Sequence, residues 1–346
     1  MSILKSTPRL LALALLASTF ALQQLAGAQA LCALRDPSRQ ITALFPKADG
    51  YRSIVRTVGQ SAREAVKQSL PFTLHFNELG RHTLYVVQGQ GEPLGLVHVR
   101  SEAGEWGLVE IAWAFDFDLN VIGFEFQRCR DRSKNLINTK HTRLEGLGFA
   151  GLRGMLNKDC SSLSPTQMAF PPSAQSLGVT VVRNGLKTIA VTQLAWSDDL
   201  AALRARIFAR RYLPATRDAA PLTGLYGHKS LALIGSRVGE EGVGISRKAA
   251  RAFSVSDKNG APLGRFLTTP WTFDARTVDI QWLFDRHGNI VAIEPRIEWP
   301  SAEIASSFQE LVGLNPLESD HCSGTAGLIA QEVALAQGSG VRPLHD

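Results

Sequence analysis

The sequence lacks the short motifs that mark the common catalytic and metal sites. It contains no GxSxG, no HExxH and no P-loop pattern, so a hydrolase nucleophile elbow, a zincin site and a nucleotide-phosphate loop are not indicated. Its four cysteines include no CxxC pair, which argues against a zinc ribbon, a thioredoxin-like motif and c-type haem attachment. The eight histidines show no metal-ligand spacing. The chain is therefore not assigned to any of these classes by motif.

A strong charge imbalance is also missing. The formal net charge is +6, with 45% hydrophobic and 20% charged residues, which is typical of a soluble globular chain. Basic residues gather at Arg204, Arg206, Arg210 and Arg211, but no aromatic residues are interleaved in a basic stripe. We therefore expect no nucleic-acid partner.

Long apolar runs are absent except near the start of the chain. Leu10 to Leu22 is apolar but short for a bilayer span, and it follows the basic residues Lys5 and Arg9. Ala28-Gln29-Ala30 fits a small-x-small cleavage site. Residues 1–30 are thus predicted to be a cleavable signal peptide, and the protein is predicted to be exported to the periplasm. An uncleaved N-terminal anchor is the alternative.

What the sequence does contain is an internal repeat. VEIAWAFDFDLNVIGFE, from Val109 to Glu125, returns as VDIQWLFDRHGNIVAIE from Val278 to Glu294, at a constant offset of 169 residues and with seven of seventeen positions identical. The shared apolar residues recur at every second position, which predicts one buried strand face. The DxxGN of the second copy predicts a turn. Each copy is therefore interpreted as a β-hairpin at the centre of one of two tandem domains.

Periodicity around the hairpins predicts an α+β fold, in which each domain is an antiparallel sheet with packed helices. The predicted organisation is a signal peptide (1–30), a first domain with an N-terminal helix (31–212), a linker (213–245), a second domain (246–337) and a tail (338–346). Helices are predicted at 48–70, 144–156, 198–212, 302–314 and 320–337. Strands are predicted at 73–76, 83–87, 94–100, 253–256 and 265–268. The segment at 178–194 is apolar, and its pattern fits a helix or a strand.

One stretch offers the chemistry of a phosphate site. Asp320-His-Cys-Ser-Gly-Thr-Ala326 precedes an apolar segment with helical character. Hydroxyl groups and a glycine at a helix N-terminus suit an anion, because free backbone N–H groups point outward and the helix dipole favours negative charge. An ordinary capping loop is the alternative, since Ser and Asp are common N-caps. Gly146-Leu-Gly-Phe-Ala-Gly151 matches GxGxxG, but no strand precedes it, which argues against a dinucleotide fold.

The second domain resembles the FMN-binding domain of the G and C subunits of the Rnf and Nqr redox complexes and of exported flavoproteins. The family's DxxG turn, ETPG-like segment, helix with a glycine near its end, and DxxSGAT motif are matched in order. The matching stretches are 285–288, 298–301, 308–313 and 320–326. The resemblance implies that FMN phosphate is bound by Asp320, Ser323, Gly324 and Thr325, with Glu298 as the family's glutamate.

Both copies depart from the family pattern. In the second domain Thr325 and Ala326 are exchanged relative to SGAT, so a hydroxyl is missing from the position that the family esterifies to FMN. Covalent attachment is accordingly not expected there. In the first domain Gly178 and Thr180 occupy the corresponding glycine and acceptor positions, while Leu177 replaces the serine. By resemblance, Gly178 and Thr180 are the candidate cofactor residues of that copy.

The resemblance implies an FMN-binding, periplasmic electron carrier that is associated with a membrane redox complex. The alternative is an accessory subunit whose domains have kept the fold and lost the flavin. Neither hypothesis makes the chain a stand-alone enzyme, and a hydrolase using Ser323 with His321 is disfavoured by poor geometry. Trp113 and Trp282 are expected to pack in the core, because they lie in the apolar alternation, although flavin stacking is the alternative.

Overall fold

The computed structural model describes residues 36–137, 143–164, 170–222, 243–245, 251–273 and 276–315. The chain is α+β and divides into two compact units, Met1–Ser197 and Asp198–Asp346. The predicted linker begins after the helix at 198–212, whereas this division lies before that helix. Most of the linker, the predicted signal peptide and the predicted last helix lie outside the described residues.

The first unit is built on a five-stranded antiparallel meander in the order β1-β2-β3-β4-β5. Its strands are β1 (Gly50–Val58), β2 (Gly80–Gly89), β3 (Glu92–Gly104), β4 (Gly107–Phe115) and β5 (Val121–Arg128). Its helices are α1 (Ser38–Leu44), α2 (Gln60–Ser69), α3 (Phe149–Gly154) and α4 (Gln175–Ala195), with 3₁₀ turns at Phe76–Glu78, Arg132–Leu136 and Pro172–Ala174.

Two helices cover the two faces of this sheet. On one face Ile41 and Phe45, from α1 and the residue after it, pack against Val87, Val97 and Ala114. On the other face α4 packs against β3 and β4. Val97 and Val99 of β3 face α1. Since side chains alternate along a strand, His98 and every second residue after it face α4.

The prediction of one helix over 48–70 is wrong in its first half. Residues 50–58 form β1, which pairs with β2 along its whole length, and only α2 is helical. The buried residues Ile54 and Val58 are four positions apart, a spacing that fits both a helix face and a strand face. The β-branched residues of β1 and the break at Gly59 favour the strand.

Other predictions differ from the structure in their ends or their type. The segment at 178–194 is helical, as the buried part of α4. The helix predicted at 144–156 shortens to α3, because turns precede it. The strand predicted at 73–76 is wrong, since this stretch leads into a 3₁₀ turn capped by His75.

The second unit repeats the same architecture. Its sheet has the order β11-β10-β9-β8-β6, and β7 pairs with β9 in addition. The strands are β6 (Asp218–Pro221), β7 (Val243–Ile245), β8 (Arg251–Ser256), β9 (Pro262–Phe273), β10 (Arg276–Asp285) and β11 (Ile290–Pro295). The helices are α5 (Ser197–Tyr212), whose Phe208 packs on one sheet face, and α6 (Ala302–Gln309), whose Phe308 packs on the other. Ser301 caps α6, as its sequence predicts.

The two hairpins are duplicates in register as well as in sequence. Trp113 lies opposite Phe124 and Trp282 opposite Ile293, and both hairpins shift register at the same repeat position, before Phe115 and Phe284. Both turns are closed by an aspartate that accepts hydrogen bonds from an asparagine four residues later. The main-chain bonds are 2.8 Å from Asn120 to Asp116 and 2.9 Å from Asn289 to Asp285. The predicted repeat is thus confirmed as a structural duplication.

The duplication extends beyond the stretch found by sequence. Pro93-Leu-Gly95 and Pro262-Leu-Gly264 stand at the same offset of 169, at the start of β3 and β9. Each glycine lies beside the carbonyl of the phenylalanine at the register shift of its hairpin. A Cβ on Gly95 would be 2.8 Å from the Phe115 oxygen, and a Cβ on Gly264 would be 2.0 Å from the Phe284 oxygen. Both glycines are therefore required by close backbone approach.

We expect Gly264→Ala to destabilise the second unit by about 1–3 kcal/mol, because its methyl group would collide with main-chain atoms that cannot rotate away. Urea unfolding of the variant measures this change. Gly260→Ala tests the effect of backbone conformation instead of close approach, because Gly260 has open space around it but a φ of 81°. Equal stability of Gly264→Ala and the unmodified chain would contradict the close-approach explanation.

Candidate functional site

The first unit encloses its predicted phosphate residues. Gly178 and Thr180 lie inside α4, in its first two turns. The Thr180 hydroxyl donates to the Ser176 carbonyl at 3.2 Å, and the residue is 8% exposed. A Cβ on Gly178 would meet the Phe170 ring at 2.7 Å, so that ring covers the glycine. These residues do not present a hydroxyl or an open backbone to an FMN phosphate.

The main predicted phosphate residues of the second unit lie outside the described residues. They are Asp320, Ser323, Gly324 and Thr325. Glu298 is exposed and accepts a hydrogen bond from Arg276 at 2.8 Å, which makes it one half of a surface ion pair.

The most unusual chemistry of the described chain lies between β3 and α4 of the first unit. We call it the polar layer and define it by six buried residues: Glu78, His98, Arg100, Glu102, Asn184 and Lys187. His98, Arg100 and Glu102 alternate along β3 and so share one face, which is the face that α4 covers. Asn184 and Lys187 lie on α4, and Glu78 lies in the 3₁₀ turn before β2.

Four charges in this layer form a connected network. Glu78 accepts from Arg100 at 3.1 Å and from Lys187 at 3.2 Å. Lys187 also forms an ion pair with Glu102 at 2.8 Å, and Arg183 approaches Glu102 to 4.0 Å. A network buried this completely costs desolvation energy that its ion pairs offset only when every partner is present.

The two carboxyl groups respond to this environment in opposite directions. Burial raises the pKa of Glu78, but Arg100 and Lys187 together outweigh it, so its pKa lies below the ordinary value. Burial also raises the pKa of Glu102, and there Lys187 and Arg183 offset burial only in part, so its pKa remains raised. Glu78 is therefore the fixed anion of the layer, and Glu102 is the carboxyl that protonates more readily.

Two histidines adjoin these charges and stay neutral. His82 Nε2 donates to the Glu78 carbonyl at 2.8 Å, and burial, reinforced by Arg100, lowers the pKa of His82 to about 3. His98 makes a 2.8 Å hydrogen bond with Thr192 and packs edge-on against Trp196. Burial lowers the pKa of His98 well below its ordinary value, with Arg100 as the next cause.

These histidines predict a loss of stability in acid. An unfolded His82 takes up a proton as the pH falls through about 6.5, while the folded one stays neutral down to about pH 3. The unfolded state then binds more protons, so His82 alone removes about 2–3 kcal/mol from the free energy of unfolding by about pH 4.5. Urea unfolding from pH 7 to 4.5 measures this change. His82→Gln should flatten the profile by about one proton, and an unchanged slope would contradict the assignment.

Several polar atoms of the layer have no hydrogen-bond partner in the described structure. They are Nε and Nη1 of Arg100, Nε2 of His98, Nδ2 of Asn184 and Oε2 of Glu102, of which the last has its ion pair with Lys187. His98, Arg100 and Asn184 are each 0% exposed. Buried polar atoms are nearly always hydrogen-bonded in folded proteins, so this concentration is unusual.

The second unit builds the same part of the sheet without charge. Leu267, Thr269 and Trp271 stand 169 residues after His98, Arg100 and Glu102. The cross-strand pairs agree, because His98 lies opposite Trp113 and Leu267 lies opposite Trp282. The expectation that both repeat tryptophans pack in the core is confirmed, since each is 0% exposed.

The tryptophan N–H groups are satisfied differently in the two units. Trp113 donates to Asn184 at 2.7 Å, whereas Trp271 and Trp282 both donate to the Thr269 hydroxyl at 2.8 Å.

Sequence reasoning missed the polar layer, although aligning β3 with β9 at the offset of 169 shows three ionisable residues where the second copy has none. That alignment is the signal that could have found it.

Three further observations limit the kinds of site in the described parts of the chain. No group of three or more His, Cys, Asp or Glu side chains there has the arrangement of a metal site. No disulfide joins Cys129 and Cys160, the two cysteines that the structure describes. Among the same residues, no helix has the length and apolar character needed to cross a membrane.

Comparison with known proteins adds no relative. No family model, no curated protein and no solved structure matches the chain.

Proposed function

We propose that this chain is an exported protein of the FMN-binding-domain type, in which the second unit holds the flavin and passes electrons to a redox partner at the membrane. Ser323, Gly324 and Thr325 bind the FMN phosphate in this proposal, with Asp320 supporting the loop. Bound FMN supplies the one- and two-electron chemistry, and the protein supplies binding and orientation.

The duplication carries this proposal. Two units with a five-strand antiparallel order, the same register shift and the same Asp-Asn turn are the arrangement expected of tandem domains of this family type. The second unit also keeps the order of the family pattern within the described residues. The Asp285 turn is followed by Ser301 capping α6 and then by Gly313, whose φ of 91° ends the helical segment.

The loop glycine has a counterpart in the first unit. Gly313 donates to the Ile290 carbonyl at 2.8 Å, and Gly146 donates to the Val121 carbonyl at the same distance. Gly146 also has a positive φ, of 78°. Gly146, the first glycine of the GxGxxG match, thus hydrogen-bonds to the first residue of β5 and does not form a dinucleotide-binding turn.

The first unit is not the flavin site in this proposal. Thr180 uses its hydroxyl within α4, and the Phe170 ring covers Gly178. A phosphate cannot reach either residue without moving that ring and breaking that bond. The first copy therefore has a structural or partner-binding role.

The enclosed first site also favours a second candidate function. If the second unit has diverged as far as the first, the chain is an accessory subunit that keeps two FMN-type folds and binds no flavin. The exchange of Thr325 and Ala326 relative to the family motif is the sequence observation on this side.

Flavin titration of matched variants tests the proposal. Unmodified protein and Thr180→Val should quench the fluorescence of added FMN equally, because Thr180 is enclosed. A Ser323→Ala, Thr325→Val double variant should weaken binding by about tenfold or more, since charged phosphate contacts contribute about 1.5–3 kcal/mol each. Loss of binding in Thr180→Val alone would move the site to the first unit, and no binding to any form would favour the accessory subunit.

A further inference from the structure

The polar layer is not a requirement of the fold. The second unit forms the same strand pairing with Leu267, Thr269 and Trp271 in place of His98, Arg100 and Glu102. Replacing buried ion networks with apolar residues is often neutral or stabilising. The charges in the first unit therefore call for an explanation other than stability of the sheet.

The residues His98, Arg100 and Asn184, which carry unpartnered atoms, are neighbours in the fold. His98 and Arg100 are neighbours on one face of β3, and Asn184 bonds to Trp113, which lies directly opposite His98. Nε and Nη1 of Arg100 and Nδ2 of Asn184 are N–H donors. Nε2 of the neutral His98 is an acceptor, because Nδ1 donates to the Thr192 hydroxyl, which itself donates to the Thr188 carbonyl. Among the unpartnered atoms of these three residues, the three donor groups therefore outnumber the single acceptor.

The charge of the layer also favours an anion. Arg100 and Lys187 are balanced by Glu78 and Glu102, and Arg183 adds a third cation at the Glu102 side. If Glu102 takes up a proton, the positive excess grows. His82 and His98 are neutral and add no charge at neutral pH. The excess of one positive charge matches a monovalent ligand.

We propose that the first unit binds a small monovalent anion between β3 and α4, held by the unpartnered N–H groups of Arg100 and Asn184. Chloride, nitrate and formate share the required charge and size. The ligand accepts hydrogen bonds from N–H groups that otherwise remain unpaired, so its removal leaves buried donors without partners. This inference does not depend on the flavin proposal, which concerns the second unit.

Thermal unfolding in different anions tests the inference. The full chain is measured at about 0.15 M ionic strength with gluconate, an anion too large for the layer, and gluconate is then replaced stepwise by chloride, nitrate or formate. We expect a saturable rise in Tm of about 5 °C for at least one of the small anions. Isothermal titration of the same anion should give one site per chain.

Three variants make the result specific. Arg100→Lys keeps the charge but loses the guanidinium donors, so it should lose the anion-dependent rise. Arg276→Met removes an exposed arginine of the second unit and should retain the rise in full. If Arg100→Lys does not fold, titration of Asn184→Leu replaces it. Equal Tm in all anions, or an equal rise in Arg100→Lys and the unmodified chain, would overturn the proposal and leave internal water as the partner.

Discussion

Replacing Glu78 with alanine is expected to destabilise the first unit by about 3–5 kcal/mol. The change leaves Arg100 and Lys187 buried with a missing counter-charge, since Glu78 accepts from both, at 3.1 Å and 3.2 Å. It also removes the carboxylate that accepts from the His75 backbone N–H at 2.6 Å. Urea unfolding followed by tryptophan fluorescence measures the loss.

Glu298→Ala is the matched control for this prediction. Glu298 also pairs with an arginine at 2.8 Å, but its side chain is 68% exposed. Water and salt screen such a pair, so its removal should cost less than about 1 kcal/mol. The account of the polar layer would be wrong if Glu78→Ala lost no more stability than Glu298→Ala.

Thr269→Val is expected to cost the second unit about 2–5 kcal/mol, although valine has nearly the same shape as threonine. The Thr269 hydroxyl accepts from Trp271 and Trp282, each at 2.8 Å, and all three side chains are buried. Valine would leave two buried indole N–H groups unpaired, and each such group costs about 1–3 kcal/mol. Denaturant unfolding of the full chain checks this value.

Thr269→Ser separates the hydroxyl from the packing. Serine keeps the shared acceptor and loses one methyl group, so its cost should stay near about 1 kcal/mol. If the serine variant proved as unstable as the valine variant, the methyl group rather than the two indole bonds would be what stabilises this part of the core.

The sequence predicted the centre of each unit well because several constraints agree there. Trp113 and Trp282 lie in a period-two apolar pattern that ends in a turn residue, and pattern, turn and repeat all indicate a hairpin. The structure adds Gly95 and Gly264, whose role depends on a carbonyl of the neighbouring strand. A single stretch of sequence does not reveal such a contact. The repeated Pro-Leu-Gly at the offset of 169 residues can, however, be found in the sequence.

Local patterns failed where two periodicities coincide or where tertiary contacts decide. Ile54 and Val58 fit a helix and a strand equally, and only the pairing of β1 with β2 resolves the choice. The polar layer was missed because His98 and Arg100 alternate with Val97 and Val99, a pattern typical of a strand with one solvent-facing side. Burial of that side under α4 is a tertiary fact.

An absorbance spectrum of the protein purified from its native host, before and after acid precipitation, tests the central proposal most directly. We predict flavin absorbance in the native protein and its release to the supernatant by acid, because Ala326 stands at the position that would carry a covalent link. Colour retained in the pellet would contradict the non-covalent site. A colourless protein that takes up no added FMN would contradict the flavoprotein and leave the accessory subunit.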